Sequence, residues 1–433
     1  MKRRSRFAGG IVLALALFMV LPLGAFAQEK VTLRFFHKWP EEPYNTYFND
    51  MVAKYEELNP HIDIVVNSAA DQPYKTQIRV VMSSSTPPDI YFAWPGDYTA
   101  NFVRAGRALD LTDYFYGTEW EELFPESIVS SYKVDGRLYA IPIRLSAKFM
   151  LYNKEMFDKY GLSVPETWDE FLEVCEVLKS NGITPIAFGN RFPWAAIHYL
   201  TTFNQKLVDP ETLAADYLLS GGYFEHPGYL EALKMFTLLN EKGYFNAFPN
   251  AYLHDDARSM WWEEQAAMFY AEIVEFTHLS PAGEAPDAFK DKWGFFPFPA
   301  IEHGEGNQRF ITGAPDGFLI NADTKYPEEC VDFLRFLTSV ENAQEWVRRI
   351  QVVSPVIGSV TEETAFKGLV EAMEVIGELE GMNNWLDTEL HADIARVYLD
   401  GSQALLEGTK TPEQVLKEVQ EAGRIVRETL GSN

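Results

Sequence analysis

The stretch that begins at Val31 alternates between two hydrophobic periods. Short apolar runs predict three buried strands, at Val31 to Phe36, Ile62 to Val66 and Asp89 to Phe92. Apolar residues spaced three and four apart predict amphipathic helices between them, at Tyr44 to Leu58 and Tyr74 to Met82. The order strand, helix, strand, helix, strand predicts a parallel sheet that is covered by helices on both faces.

The loops that follow these strands are the first candidates for a binding site. In open α/β sheets, ligands bind beyond the carboxyl ends of the strands. The loops concerned begin at His37, Asn67 and Ala93. Polar and aromatic residues in these loops are therefore expected to face a ligand.

A second pattern covers Val134 to Gly182 and predicts a turn, two strands, a short helix and a long helix. Asp135 and Gly136 mark a tight turn. Apolar runs at Leu138 to Ile143 and Phe149 to Tyr152 predict the two strands that follow it. Local pattern alone indicates no more than an α/β unit here.

The long helix of this stretch has a defined start and one apolar face. Thr167 followed by Glu170 forms a capping box, in which each side chain accepts a hydrogen bond from the other residue's backbone N–H. The apolar residues Phe171, Val174 and Leu178 then fall on one side of the helix.

The rest of the chain continues the alternation and ends in helices. Further strands are predicted at Ile186 to Phe188, Ala266 to Tyr270, Trp293 to Pro297 and Phe310 to Ile320. Further helices are predicted at Ile197 to Phe203, Tyr229 to Leu239, Cys330 to Val347, Glu362 to Leu379, Leu390 to Leu406 and from Thr411 onward.

Three motifs carry a resemblance to a known family. They are G-R-x-Y-x-x-P at Gly136 to Pro142, L-Y-N-K-x-x-F at Leu151 to Phe157, and G-L-x-x-P-x-T-W-x-E at Gly161 to Glu170. In this order they closely resemble the second-lobe entry of the bacterial extracellular solute-binding proteins of family 1, the maltose-binding-protein-like carbohydrate receptors of ABC importers. One departure is Glu272, which stands where the family usually has glycine.

The resemblance implies an α/β periplasmic binding protein fold, with two Rossmann-like lobes joined by a multi-strand hinge and a helical C-terminal segment. The implied organisation is a signal peptide at 1–27, an N-terminal lobe at 28–131 and 314–360, and a C-terminal lobe at 132–313 and 361–433. It implies a periplasmic receptor that closes on a sugar and delivers it to permease subunits of an importer, as a monomer without a cofactor. An exported carbohydrate-active enzyme is the main alternative, and a surface adhesion module is a more distant one.

The N-terminus has the pattern of a secretory signal peptide. Basic residues from Lys2 to Arg6 precede an apolar run from Ile11 to Leu21, and Ala25 to Ala27 supplies an A-x-A cleavage site before Gln28. An uncleaved anchor is the alternative, but a spanning helix needs about 20 apolar residues. Lipid-anchored relatives carry a cysteine at the cleavage point, and this chain has none there. We therefore expect a free periplasmic protein.

Composition excludes some partners more firmly than it names one. The chain has 37 basic and 63 acidic residues, a formal net charge of -26. Such a surface repels nucleic acid and anionic lipid, which leaves neutral sugars and cations as possible ligands. Its 433 residues exceed what one hydrophobic core usually serves and predict two domains. Cys175 and Cys330 lie on predicted helices and are expected to be small buried hydrophobes rather than a disulfide.

The sequence lacks the motifs of several catalytic and cofactor sites. It contains neither G-x-G-x-x-G nor a P-loop, and no G-x-S-x-G elbow. The eight histidines lack H-E-x-x-H spacing, so no metal site is expected. Paired carboxylates for glycoside hydrolysis stay open, because their pairing is spatial.

The candidate binding residues are aromatic and polar side chains in loops after predicted strands. A pyranose offers a C–H face that stacks on an aromatic ring, and hydroxyls that pair with carboxylate, amide or guanidinium groups. The candidates are Trp39, Trp94, Asp97, Asn190, Arg191, Trp194, Glu272 and Trp385. Core packing is the alternative for each tryptophan, and a solvated surface position is the alternative for Asp97 and Glu272.

The sharpest hypothesis is that Trp94 stacks a sugar ring while Asp97 and Arg191 bind hydroxyl groups. Trp94→Ala is then expected to lower affinity and to leave the fold intact, because a cleft tryptophan is not a core residue.

Overall fold

The computed structural model describes residues 30–221 and 223–430, in which eleven strands and eighteen α-helices are found. The strands are β1 (Val31–His37), β2 (Ile62–Ser68), β3 (Ile90–Ala93), β4 (Lys133–Val134), β5 (Arg137–Leu138), β6 (Ala140–Asn153), β7 (Thr184–Ala187), β8 (Ala266–Glu272), β9 (Trp293–Phe296), β10 (Phe310–Ile320) and β11 (Gly381–Asn383). The predicted signal peptide and its cleavage site lie outside the described residues.

The helices alternate with these strands and dominate the last hundred residues. They are α1 (Tyr44–Leu58), α2 (Asp71–Val81), α3 (Asp97–Arg104), α4 (Thr112–Phe115), α5 (Glu126–Val129), α6 (Lys154–Tyr160), α7 (Trp168–Ser180), α8 (Trp194–Leu207), α9 (Pro210–Tyr217), α10 (Pro227–Glu241), α11 (His254–Trp262), α12 (Phe276–Leu279), α13 (Pro327–Leu337), α14 (Val340–Ile350), α15 (Lys367–Glu378), α16 (Leu386–Glu389), α17 (Ala392–Leu406) and α18 (Pro412–Leu430). Among the described residues, no helix is long and apolar enough to cross a membrane.

One sheet of nine strands runs through the molecule in the order β2-β1-β3-β10-β6-β8-β7, with β9 beside β6 and β11 beside β10. β1 is parallel to both β2 and β3, as the alternating pattern predicted. The long strands β10 and β6 are antiparallel to each other, and β10 pairs with β3 while β6 pairs with β8. The fold is therefore α/β with two lobes, the first built on β1 to β3 and the second on β7 to β9. The lobe boundaries at residues 131, 313 and 360 stay a prediction.

Strand β6 is where the structure differs most from the predicted strands. The pattern predicted two strands, Leu138 to Ile143 and Phe149 to Tyr152, but β6 is a single strand of 14 residues. Its first half pairs with β10, and its second half pairs with β8 and β9. The polar residues Arg144, Ser146 and Lys148 interrupt the apolar pattern, yet all three are buried. Buried polar groups require partners, and each of the three side chains forms a hydrogen bond with another part of the sheet.

Two clusters of buried hydrophobic side chains stabilise the fold. The larger cluster includes Leu33 and Phe35 of β1 and Phe48 of α1. The second includes Phe171 of α7 and Phe203 of α8. All five side chains are fully buried, and each contributes roughly 1.5–3 kcal/mol relative to an exposed position.

Several local predictions are confirmed, and two helix predictions were wrong in extent. Both halves of the Thr167 and Glu170 capping box form, and the two cysteines are free and buried. The helix predicted from Cys330 to Val347 is two helices, because Ser339 accepts a hydrogen bond from the backbone of Asn342 and starts α14 anew. The helix predicted from Glu362 begins only at Lys367.

Candidate functional site

A cavity of about 1390 Å³ lies between the two lobes. Its first-lobe wall comes from the loops after β1 and β3, which contribute Lys38, Trp39 and Trp94, and from Asp71 at the start of α2, just after the loop that follows β2. These are the loops that the carboxyl-end rule singled out from the sequence. The order of strands and helices therefore determines where this wall lies, because each of its residues comes soon after a strand.

The floor of the cleft is a network of paired charges on the two long strands. Arg144 of β6 donates from Nε to Oδ2 of Asp316 on β10 at 2.6 Å, and a second guanidinium nitrogen contacts the same oxygen. Lys38 Nζ lies 3.6 Å from that oxygen and 3.5 Å from Oδ1 of Asp71. Burial alone would lower the pKa of Arg144, but the negative charge of Asp316 outweighs it and raises that pKa. The guanidinium is therefore charged at every physiological pH.

A second polar group lies where β8 ends. Ser146 Oγ donates to Oε2 of Glu272 at 2.6 Å, and His198 Nδ1 lies 3.9 Å from the other carboxylate oxygen. Burial, together with the charge of Lys148, holds the pKa of His198 well below its usual range, so the imidazole is neutral. Lys148 lies behind the floor, where burial lowers its pKa to about 8 and Nζ donates to the carbonyl of Tyr270 at 2.9 Å.

Aromatic rings form much of the second-lobe wall. Trp385 stacks on His198, with 4.2 Å between ring centroids and 26° between ring planes. Trp194, at the first turn of α8, lies 5.1 Å from His198 and 4.8 Å from His254. Trp194 is partly exposed, whereas Trp385 is 5% exposed. This wall offers aromatic surface beside the carboxylate of Glu272.

The first-lobe tryptophans line the cleft but are packed like core residues. Trp39 is 2% exposed and stacks on Tyr44 and Phe48 at centroid distances of 5.8 and 5.7 Å. Trp94 is 5% exposed and meets Phe92 edge-on at 4.6 Å. Two ammonium groups, Lys38 Nζ at 4.6 Å and Lys75 Nζ at 4.8 Å, lie near the centroid of its ring. Burial of Trp94 therefore argues against the expectation that its removal leaves the fold intact.

Three candidates from the sequence do not line the cavity. Asp97 is buried at the start of α3, where its Oδ1 accepts a hydrogen bond from Arg104 Nη2 at 2.7 Å. Asn190 is fully buried and accepts from the backbone of Ala196, so it supports the start of α8. Arg191 is exposed, and the cavity is lined from Phe192 instead. The geometry of the cleft does not support hydroxyl binding by Asp97 and Arg191.

Sequence reasoning missed most of the charged lining. Lys38 directly follows β1, and Asp71 begins α2 soon after β2, so both lie close to the strand ends at which ligands are expected to bind. Arg144 and Asp316 lie inside strands, and their only signal is a charge within an apolar run. Asp387 follows the candidate Trp385, and burial raises its pKa, with the charges of Asp71 and Glu272 opposing the pull of Lys75. In residues 30–221 and 223–430, no cluster of three or more metal-ligating side chains is arranged to hold an ion.

Comparison with known proteins gives consistent relatives. A family model described as bacterial extracellular solute-binding protein matches residues 39–344. A multiple sugar-binding protein of Streptococcus mutans is 25% identical over 329 residues, which cover 74% of this chain and 74% of the relative. An uncharacterized ABC transporter extracellular-binding protein of Pyrococcus horikoshii is 25% identical over 322 residues, covering 72% of this chain and 70% of the relative.

Solved structures share the fold over nearly the whole chain. A chitin oligosaccharide binding protein matches with a TM-score of 0.83 at 23% identity, covering 92% of this chain and 99% of that one. An ABC transporter solute-binding protein from Thermotoga lettingae, bound with α-D-tagatose, matches with a TM-score of 0.75 at 18% identity, covering 92% and 99%. With the family model spanning most of its length, this chain belongs to the bacterial extracellular solute-binding protein family.

Proposed function

We propose that this protein is the substrate-binding component of an ABC importer and that it binds a sugar or oligosaccharide in the cleft between its lobes. The observation that carries the proposal is the cleft lining, in which Trp94, Trp194 and Trp385 lie beside carboxylate and ammonium groups. A pyranose requires this mixture, because its C–H face stacks on rings while its hydroxyls bind charged and polar groups. The Streptococcus mutans relative, named as sugar-binding, supports the same class of ligand.

The structure and the sequence together give a revised set of ligand-binding candidates. Trp39, Trp94, Trp194, Glu272 and Trp385 are retained, because all five line the cavity. His198 and Asp387 are added, since they line the same cavity beside Trp385. Asp97, Asn190 and Arg191 are not retained, because they do not line the cavity.

The chain would cross between the lobes three times, near Ser131, Phe310 and Ser359. Binding would proceed by hinge closure of the two lobes about these crossings, next to β6 and β10. The permease subunits of the importer would be the macromolecular partner, and the receptor would act as a monomer. We further propose that the protein is exported by its signal peptide and is released without a lipid anchor. An intact mass that matches a chain beginning at Gln28 supports this proposal, whereas the mass of an acylated or uncleaved chain contradicts it.

Calorimetry on the purified mature protein tests the proposed function. The titrants are glucose, xylose, galactose and N-acetylglucosamine, each with its linear di- and trisaccharides. We expect one sugar of this panel to bind with one site per chain and to be recovered unchanged after overnight incubation. At a ligand concentration of 100 Kd, the bound sugar should stabilise the fold by about 2.7 kcal/mol. Accumulation of a shorter or hydrolysed product favours the carbohydrate-active enzyme instead.

A further inference from the structure

The two lobes also meet away from the long central strands, where α16 touches the loop in front of α3. Gly96, the last residue of that loop, has φ +76°. A Cβ atom built on Gly96 would lie 2.6 Å from Cα of Glu389 and 2.7 Å from the carbonyl oxygen of Thr388. Both are backbone atoms, which cannot move aside as a flexible side chain can. Only glycine therefore permits this approach of the lobes.

Helix α16 connects this contact to the binding cleft. Leu386 belongs to the hydrophobic cluster of the second lobe, and its backbone N–H donates to Thr201 of α8 at 3.1 Å. Asp387 and the preceding Trp385 line the cavity. The next two residues of the helix are those that approach Gly96. The single turn of α16 therefore both lines the cleft and contacts the first lobe.

The side chain of Glu389 is held by its own lobe. Asn384 Nδ2 donates to Oε2 of Glu389 at 2.9 Å. Burial raises the pKa of Glu389, and the neighbouring charge of Asp97 adds to the effect. The approach to Gly96 is therefore tight. Oε2 of Glu389 would lie 2.5 Å from the added Cβ atom, and the two backbone atoms of α16 lie almost as close.

We infer that Gly96 and the backbone of Thr388 and Glu389 form the stop at which the lobes come together, and that any side chain at position 96 holds the cleft partly open. The consequence for ligand binding rests on the proposed function. A sugar in a cleft that cannot reach the stop loses contacts to one lobe, so its affinity falls.

Gly96→Ala tests the stop, and Gly106→Ala is its matched control. Gly106 belongs to the same lobe and has φ +65°, but a Cβ built there meets nothing within 4 Å. Both variants carry the same type of backbone strain, and only one carries the clash. In small-angle scattering of ligand-free protein, we expect Gly96→Ala to have a larger radius of gyration than Gly106→Ala and wild type. Equal radii for all three proteins overturn the inference.

A second test compares the affinities of the variants for the sugar of the panel that binds wild type most tightly. We expect Gly96→Ala to bind it about tenfold more weakly, a loss of about 1.4 kcal/mol, and Gly106→Ala to bind it as wild type does. Equal affinity of the two variants overturns the inference. If no sugar of the panel binds wild type, the proposed function fails, and the scattering comparison still decides on the stop.

Hydrogen exchange on wild-type protein covers the case in which Gly96→Ala does not fold. Peptides spanning 94–98 and 386–390 should exchange more slowly than the turn at Gly106, since the contact shields their backbone. If both exchange as fast as that exposed turn, the lobes do not meet there and the inference is wrong.

Discussion

Single residues in the cleft differ in how much of their surface other side chains already cover. Trp39 and Trp94 are buried against aromatic neighbours, so each supports the first lobe as well as the cavity. Trp194 is partly exposed and contacts two imidazole rings, so more of its surface faces the cavity. A tryptophan with uncovered surface can stack a sugar without holding the fold together. Trp194 is therefore the best place to separate binding from stability.

Trp194→Ala should weaken sugar binding by about 1–2 kcal/mol, roughly tenfold, with a small change in melting temperature. Trp94→Ala should lower both affinity and stability, because its buried ring supports Phe92 and two ammonium groups. Calorimetry and thermal melting on the two variants give these values. Trp120, buried in the first lobe and hydrogen-bonded to Thr338, provides the control, since its removal should lower stability and spare affinity. Unchanged affinity in a folded Trp194→Ala protein removes this residue from the site.

A second residue-scale prediction concerns acid stability. His37 is fully buried, and burial lowers its pKa from 6.5 to about 3. The folded protein therefore keeps this imidazole neutral while the unfolded chain takes up a proton below pH 6.5. Stability present above pH 6.5 is lost as the pH falls toward 3, by about 1.4 kcal/mol for each pH unit. Urea unfolding at pH 7 and pH 5 measures the loss.

His37→Gln should unfold with a shallower dependence on pH than wild type, because one buried titrating group is gone. Identical slopes for wild type and His37→Gln contradict the assignment to His37.

At the scale of elements, the sequence predicted the strands and helices that local hydrophobic pattern encodes. It missed those that depend on contacts with residues distant in the chain. Strands β1 to β3 were predicted to within two residues, because the polar residues within them, such as Arg34 and Asp63, fall at alternate positions and leave the strand period intact. Strand β6 was divided in two because Arg144 stands in its middle, and the partner that allows it to be buried, Asp316, is 172 residues away. Strand β11 and helix α16 are three and four residues long, and pairing with β10 or packing on α8 defines them. No periodicity can appear in so few residues.

The candidate site shows the same limit. The rule that ligands bind beyond the carboxyl ends of strands located the first-lobe wall, because the position of a loop follows from strand order alone. It also selected Asp97, Asn190 and Arg191, none of which lines the cavity. Asp97 instead pairs with Arg104, and Asn190 accepts a hydrogen bond from the backbone of Ala196. Strand order locates a loop, but it does not encode the direction that each side chain of the loop takes.

The pairing of β6 with β10 gives a prediction for these two elements. Asp316 is 3% exposed and Arg144 is 10% exposed, so Asp316→Asn leaves a buried guanidinium without its main counter-charge. Loss of one partner of a buried pair typically costs about 3–5 kcal/mol. Asp323→Asn is the control on the same chain segment, because Asp323 is 61% exposed and its pair with Arg107 should contribute about 0–1 kcal/mol. Equal unfolding free energies of the two variants in urea contradict a structural role for the buried pair.

At the scale of the whole molecule, two lobes share one sheet through two long strands. β6 and β10 pair with each other along Ala140 to Ala147, and each then continues to partners in a different lobe. The cleft floor lies on these strands, so a ligand that contacts both walls also lies beside the proposed hinge. Closure would therefore bring the wall of Trp94 toward the wall of Trp194 and Trp385 without breaking the hydrogen bonds of the sheet.

Sugar binding should therefore make the molecule more compact. Saturating amounts of a sugar that binds should reduce the radius of gyration in small-angle scattering, because ligand-free lobes reach the stop at Gly96 for only part of the time and a bound sugar holds them there. A sugar of the same panel that gives no heat of binding serves as the control and should leave the curve unchanged. Gly96→Ala should show a smaller contraction than Gly106→Ala under the same conditions. Superimposable scattering curves with and without a bound sugar in wild type would show that binding does not depend on lobe closure, and the ligand would then be held by one wall of the cleft.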